Sequence, residues 1–487
     1  MNDPALTKEL PASAIPWYKE LNPYHWVVFI VCTLGWTFDC MDQQLFTFAR
    51  ASALAELMSI ESTSDTTLRY ATLATSIMLL GWATGGIIFG VLGDKFGRVR
   101  IMFFTILSYS LLTGASAFAV SIWDFMIIRF FAGVGIGGQF AVGTALLAET
   151  MPARARPYAL GMMQVIAGFG NVSAALVAMT FNEMFAAGII TWSPWRCVFL
   201  FGSIPAVLVY FIVRYLREPE AWLASVSDGR DKVGSLRELF GNPILRKHVV
   251  LGMILAATGV IGGWGIGMFS MELAGKVGAK IATETPEYQQ IEAAILSQYE
   301  AKKITPEIKA KLEKVQLNIL RRAADQWRTR NLLIYNFGAI AGLFGFTVAA
   351  VYWGRRISFT IFMSGCIVFT STAFLFLNSL WTQWTLVPLM GFFIISLSGG
   401  YTIYFPELFP TRLRSTGVSF CYNVGRYLAA FGPLALGGLT ASFAGYATPE
   451  DSTLPLRYAG VTMCSVFLIG IATVWFLPET KGKPLPD

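Results

Sequence analysis

Two carboxylates three residues apart, Asp39 and Asp42, sit inside an otherwise apolar run from about Tyr24 to Phe48. On a helix this spacing puts both side chains at neighbouring positions of one face. A charged carboxylate is costly in hydrocarbon, so acids placed there face a wet cavity or a partner. Two chemistries fit: a reversible proton site, or a permanent ion pair that only fixes helix packing. Arg129 supplies a cation at a comparable level. At about 1.5 Å per residue, Asp39 lies roughly 20 Å into a core of about 30 Å, and Arg129 about 12 Å in from the opposite side. By this arithmetic Asp39 matches Arg129 better in depth, while Asp42 lies nearer the outside and its water. A carboxyl that loses its cation while still desolvated can take up a proton. Either aspartate could do so.

Arg426, in Tyr422-Asn423-Val-Gly425-Arg426, is the second intramembrane cation, about 15 Å into its run. The second half of the chain has no acid at that depth, so Arg426 must face an acid of the first half, a water-filled cavity or an anionic substrate. A guanidinium takes a carboxylate bidentately. Gln139, Gln164, Asn336, Tyr401 and Asn423 could line the same cavity, although any one taken singly could equally be an interhelical hydrogen bond. Trp36 and Trp264 could supply aromatic walls.

These residues must be held by membrane-spanning helices. The chain has 487 residues, 55% of them hydrophobic and 14% charged, and a mean hydropathy of +0.56. Soluble domains carry about 25% charged residues. Apolar runs long enough to cross a bilayer recur near 24–48, 70–93, 101–119, 121–148, 157–181 and 196–216. The second set lies near 248–271, 331–353, 358–378, 382–405, 416–440 and 457–477. The expectation is an all-α polytopic membrane protein with twelve transmembrane helices in two pseudo-symmetric six-helix bundles, 24–216 and 248–477. A tail of 1–23, a linker of 217–247 and a tail of 478–487 complete the division. The net charge of +7 comes from basic residues at the run ends, which argues for positive-inside loops and against a nucleic-acid surface. Both termini are then cytoplasmic, in a cell inner (plasma) membrane. Residues 272–330 fall outside as an extracytoplasmic insertion, with apolar spacing that predicts a small helical hairpin and a cap at Thr305-Pro306. The six cysteines show no disulfide or zinc spacing, and Cys40 reads as a small buried hydrophobe.

The chain repeats itself. Glu149-Thr-Met-Pro152-Ala-Arg154-Ala-Arg156 recurs 258 positions on as Glu407-Leu-Phe-Pro410-Thr-Arg412-Leu-Arg414. Pro219-Glu220 and Pro478-Glu479 follow the sixth span of each half. Such parallel repeats build one class of transporter. Gly90-Val-Leu-Gly93-Asp94-Lys-Phe-Gly97-Arg98 joins spans two and three, and Gly354-Arg355-Arg356 is its weaker echo. Asp94 and Arg98, with Glu149, Arg154 and Arg156, can form a charged latch that is stronger in one conformation than in another. The other reading is an ordinary basic loop.

Gly90-x-x-x-Asp94-x-x-Gly97-Arg98 resembles the signature loop of the major facilitator superfamily. Arg129-Phe-Phe-Ala-Gly133-Val-Gly135-Ile-Gly137-Gly138 resembles its fourth-span motif. Tyr404-Phe-Pro-Glu407 through Gly417, and Pro478-Glu479-Thr-Lys481-Gly482, are similar to tail signatures of the sugar-porter-like branches. Phe38-Asp39-x-Met-Asp42 is similar to the first span of proton symporters for aromatic acids and monocarboxylates. There are two departures. Gln139 stands where some organic-acid members carry Glu, and an amide cannot titrate. Gly259-Val-Ile-Gly-Gly-Trp264-Gly-Ile-Gly267 replaces the glutamine pair of sugar porters in span seven.

The expected function is proton-coupled symport of a small organic anion, an aromatic acid or monocarboxylate, by alternating access. Its parts would be Asp39, Asp42 and Arg129 for the proton, and Arg426 for the carboxylate. Gly90, Asp94, Gly97, Arg98, Glu149, Arg154, Arg156, Arg355, Arg356, Glu407, Arg412 and Arg414 would form the cytoplasmic gate. The alternatives are a sugar or polyol porter and a non-transporting receptor that uses the external insertion. No nucleophile–base set, metal spacing or phosphate loop points to an enzyme, a metal or a cofactor. The expected partners are a small-molecule substrate, protons and the lipid bilayer, with no nucleic acid, and the protein is expected to be a monomer.

Overall fold

The structure, a computed structural model, describes residues 16–60, 65–227, 233–300, 306–429, 432–448 and 451–486. All regular elements among them are helices. In hydrocarbon each backbone N–H and C=O must find an internal partner, which an apolar run achieves as a helix. Spans one to six are Pro23–Met58, Asp65–Phe96, Arg98–Ser116, Ile122–Thr150, Arg156–Ala186 and Pro194–Tyr215. Spans seven to ten are Pro243–Thr283, Pro306–Trp353, Arg355–Phe376 and Leu380–Tyr404. Span eleven comprises Arg414–Ala429 and Gly432–Ser442, and span twelve is Leu454–Phe476. Among the described residues eleven helices are long and apolar enough to cross a membrane, and the two helices of span eleven stand where the twelfth is expected.

Capping chemistry sets several starts. Asn22 and His25, Ser121 and Asp124, and Ser379 and Thr382 each form a reciprocal capping box. The backbone turns between spans two and three and between spans eight and nine at Gly97 (φ 106°) and Gly354 (φ 88°). A side chain is disfavoured there by the left-handed backbone, and its Cβ would also strike the carboxylate of Glu218 or Glu479.

Those two carboxylates show how far the repeat extends. Glu218 accepts from the backbone N–H groups of Arg98 (2.7 Å), Val99 (3.0 Å) and Arg100 (3.1 Å). Glu479 accepts from those of Arg355 and Arg356, each at 3.0 Å. The sequence match of Glu220 to Glu479 is thus off by two residues: Glu218 and Glu479 each lie three residues past the last helical residue, Tyr215 or Phe476, and the proline follows the acid in the first half but precedes it in the second. Helix N-termini favour a negative charge, and these hydrogen bonds hold the half-buried Glu479 carboxyl below its ordinary value of 4.5. Glu479 therefore contributes stability that is fully present above that value and is lost as pH falls through its lowered one. The melting-temperature gap between wild type and Glu479→Gln should be widest near neutral pH and should narrow below about pH 4.5. A gap independent of pH over that range contradicts the assignment.

Within each half, glycines let paired helices touch backbone to backbone. Gly81 and Gly85 of span two lie on the carbonyls of Phe130 and Val134, while Gly338 and Gly342 of span eight lie on those of Pro388 and Phe392. Between the halves, span two packs on span eleven, and span five packs on spans eight and ten. Span seven is interrupted by a π-helical turn, Ile261–Gly267, beside the central cavity. Such turns widen the helix and recur at functional sites.

The insertion differs from the expected hairpin. Its first arm is the end of span seven, which runs on to Thr283, and a short helix, Pro286–Glu300, follows. Its last arm belongs to span eight, one helix from Pro306 to Trp353. Span eight thus begins 25 residues before the expected position 331, about 37 Å of extra helix. Hydropathy marks only the part in hydrocarbon, whereas the backbone ladder continues beyond it. Arg328 ties the arms together by pairing with Glu272 at 3.1 Å. The expected cap, Thr305, lies outside the described residues.

Candidate functional site

A central cavity opens between the halves. Trp36, Cys40, Gln43, Gln44, Trp82, Gln164 and Asn171 line it from the first half. Tyr335, Asn336, Ser398, Tyr401, Tyr422 and Arg426 line it from the second. Arg426 is 4% exposed, so its charge is almost wholly removed from solvent. Its guanidinium carbon stands 3.7 Å from the Trp82 ring centre and 4.2 Å from that of Tyr422, a cation held between two aromatic faces. It donates to Asn423 Oδ1 at 2.6 Å. Among the described residues no carboxylate pairs with it.

A polar chain crosses the cavity between the halves. Trp36 Nε1 donates to Gln164 Oε1 (3.0 Å), and Gln164 Nε2 donates to Thr402 Oγ1 (2.6 Å). The rings of Phe140 and Tyr422 stack at 4.1 Å across the same interface.

Asp39 and Asp42 do not line this cavity. Both are buried inside the first bundle and face span three, where Tyr109 neighbours Asp39 and Thr113 neighbours Asp42. Arg129 pairs with Asp42, Nη1 to Oδ2 at 3.7 Å, and not with Asp39 as depth arithmetic favours. Depths read from span ends carry an error of about one helical turn, and two acids three residues apart differ by less than that. Packing makes the choice: Arg129 lies over the Phe199 ring (4.8 Å) and donates to Leu112 O (3.3 Å). The Asp39 carboxylate has no hydrogen-bond partner among the described residues.

At the face that carries the basic loops, the halves are locked together. Arg98 binds Asp94 at 2.9 Å and Glu149 at 3.0 Å, and it donates across the interface to Thr411 O at 2.6 Å. Arg414 of the second half returns the contact to Glu149 at 2.9 Å. Asp94 accepts from Ser415 N (3.1 Å), Thr416 N (2.8 Å) and Thr416 Oγ1 (2.6 Å). It therefore caps the start of span eleven from the opposite half, where the helix dipole favours its charge. The echo is internal to the second half: Arg355 pairs with Glu407 at 2.6 Å, and position 351, the counterpart of Asp94, is Val351.

A family model described as the Major Facilitator Superfamily matches residues 26–285, more than half of the chain. This chain belongs to the major facilitator superfamily. Across its length the transporter is 28% identical to a probable 4-methylmuconolactone transporter of Cupriavidus pinatubonensis, covering 96% of this chain and 93% of that one. It is 25% identical to a cis,cis-muconate transport protein of Acinetobacter baylyi, at 96% and 98% coverage. Its fold matches the proton:xylose symporter XylE of E. coli with a TM-score of 0.68, at 15% identity, over 95% of this chain and 98% of that one.

The transporter's predicted site residues divide by place. Trp36, Gln164, Asn336, Tyr401 and Arg426 line the cavity. Asn423 lies behind Arg426 and orients it. Gln139 is buried in the first bundle beside Thr105, outside the cavity lining. The Trp264 side chain lies outside the described residues. Of the gate set, Asp94, Arg98, Glu149 and Arg414 meet across the halves, while Gly90 lies against Ser419 of span eleven. Arg154 instead pairs with Glu20 at the surface, and Arg412 pairs with Glu238 of the linker. Arg156 donates to Ala148 O and Arg356 to Leu477 O, both within their own half. Cys40 packs half-buried against the hydrophobic core and also borders the cavity. Trp82, Tyr335 and Tyr422 were missed as wall residues, although their position in apolar runs could have flagged them.

Proposed function

We propose that this transporter is a proton-coupled symporter of small organic anions, unsaturated or aromatic carboxylates, working by alternating access. The observation that carries this reading is Arg426, a buried cation on the cavity wall with aromatic faces on both sides and no carboxylate partner among the described residues. A carboxylate is the complement of such a group. Ring and amide walls suit a planar organic body with a polar substituent. The relatives named for 4-methylmuconolactone and cis,cis-muconate agree with that class.

Asp39 is the proposed proton carrier, because a buried carboxylate without a cation partner is costly unless it takes a proton. Asp42 is the carboxylate that Arg129 answers. The positive loops put the locked face in the cytoplasm of a plasma membrane, with both termini beside it. This conformation is then the one closed toward the cell.

A thermal-shift screen of the purified transporter against acids, sugars and amines tests the substrate class. Benzoate and cis,cis-muconate should raise the melting temperature, whereas xylose and simple amines should not. Stabilisation by sugars alone would replace this reading with the sugar-porter one. In proteoliposomes, uptake should follow an imposed inward proton gradient, and uptake indifferent to that gradient removes the coupling.

A further inference from the structure

We propose that Trp82 and Gly86 of span two are positioning residues for the anchor on span eleven, so that Arg426 is set for substrate only while the basic-loop face is locked. This rests on Arg426 binding the carboxylate. The carrying observation is a continuous seam between the two helices. Trp82 lies on Arg426, Gly86 touches Asn423 and Ser419, Gly90 touches Ser419, Gly93 lies by Ser415, and Asp94 caps Ser415 and Thr416. Span two contributes one face at helical spacing, and span eleven runs antiparallel to it.

Each contact crosses between the halves. The indole that flanks Arg426 belongs to the first bundle, while Tyr422 on its other side belongs to the second. Asn423 Oδ1 receives the Arg426 N–H, and its amide nitrogen donates to Ser419 O at 3.0 Å, which fixes its orientation. A Cβ on Gly86 would collide with that amide. Tyr427 adds a hydroxyl contact to Thr84 at 2.7 Å. From Trp82 to Asp94 the seam spans twelve residues, about 18 Å, and joins the cavity wall to the latch. Opening the basic-loop face separates spans two and eleven there. It withdraws the indole from Arg426 and frees Asn423, leaving the guanidinium less well placed at the moment substrate must leave. A single seam thus links latch opening to a weakened anchor, which is the differential affinity an alternating-access cycle needs.

The test measures KM for cis,cis-muconate and benzoate in right-side-out and inside-out vesicles. Trp82→Leu should raise KM about ten-fold from the face opposite the basic loops, as expected for loss of a desolvated cation–π contact. From the basic-loop face KM should stay within two-fold. Trp82→Phe, which keeps a ring face, should restore most of the loss, and Gly86→Ala should reproduce it by displacing Asn423. A general folding defect would lower transport from both faces and would not be rescued by Phe. If Arg426→Gln abolishes uptake of both probes while Trp82→Leu keeps wild-type KM on both faces, the positioning role is overturned and the anchor stands. If the wild type is neither stabilised by nor transports either probe, the carboxylate reading falls and the positioning role falls with it.

Discussion

Arg426→Gln should weaken binding of an organic carboxylate by roughly 2–4 kcal/mol, about 30- to 1,000-fold. The substitution removes the cation from the cavity wall: among the described cavity-lining residues Arg426 is the sole Lys or Arg. It also leaves the Asn423 carbonyl without its donor, and Trp82 and Tyr422 without the group between them. Arg426→Lys keeps the charge but loses the planar fork and the double stacking, and should weaken binding about ten-fold. A neutral analogue, such as the methyl ester of the same acid, should be nearly indifferent to either change. Isothermal titration with the acid and its ester separates these cases. Equal losses for both ligands would assign Arg426 to packing and leave the anion reading without its main support.

Asp42→Asn and Asp39→Asn should differ in kind. Asp42 is the charge partner of Arg129, and both side chains are fully buried, so Asp42→Asn strands a cation inside the bundle. Breaking a buried pair from one side costs about 3–5 kcal/mol, and at 3.7 Å the lower end applies. The melting temperature should fall clearly. Among the described residues Asp39 has no ion-pair partner, and Asn is nearly isosteric with the protonated acid, so Asp39→Asn should cost no more than about 1 kcal/mol. Its effect should lie in coupling: uptake driven by a proton gradient is lost, while counterflow exchange of substrate persists. Thermal melting with paired net-uptake and exchange assays reads both outcomes. Wild-type coupling in Asp39→Asn would transfer the proton to another group, and wild-type coupling in both variants would remove the acid pair from the mechanism.

The latch, cavity wall and acid cluster were legible in the sequence to different degrees. Asp94, Arg98 and Glu149 declared themselves because a Gly-rich charged turn and its repeat leave few alternatives. Arg426 did so because a guanidinium in an apolar run demands a partner. Residues whose roles depend on a neighbour were less readable. Asn423 looked like a cavity group and instead holds Arg426. Gln139 stands in the fourth-span motif but turns into the bundle beside Thr105. Glu218, not Glu220, is the counterpart of Glu479, since the repeat is kept in backbone geometry more closely than in alignment. Arg154 and Arg412 copy each other in sequence, yet they pair with the N-terminal segment and the linker, which are not copies.

By itself the sequence determined the twelve spans, their doubling into two halves, the face that carries the positive loops and the short set of charges inside hydrocarbon. It could do so because the bilayer forbids unsatisfied backbone and penalises buried charge, so length, hydropathy and exceptions to hydropathy are informative one residue at a time. Only the tertiary structure decided that Arg129 takes Asp42 over Asp39, that Asp94 caps a helix of the other half, and that Trp82 of one half holds the Arg426 of the other. Those choices depend on how far each helix is rotated and how closely its neighbour approaches. Helical spacing sets a residue's face on its own helix, but only packing sets what that face meets.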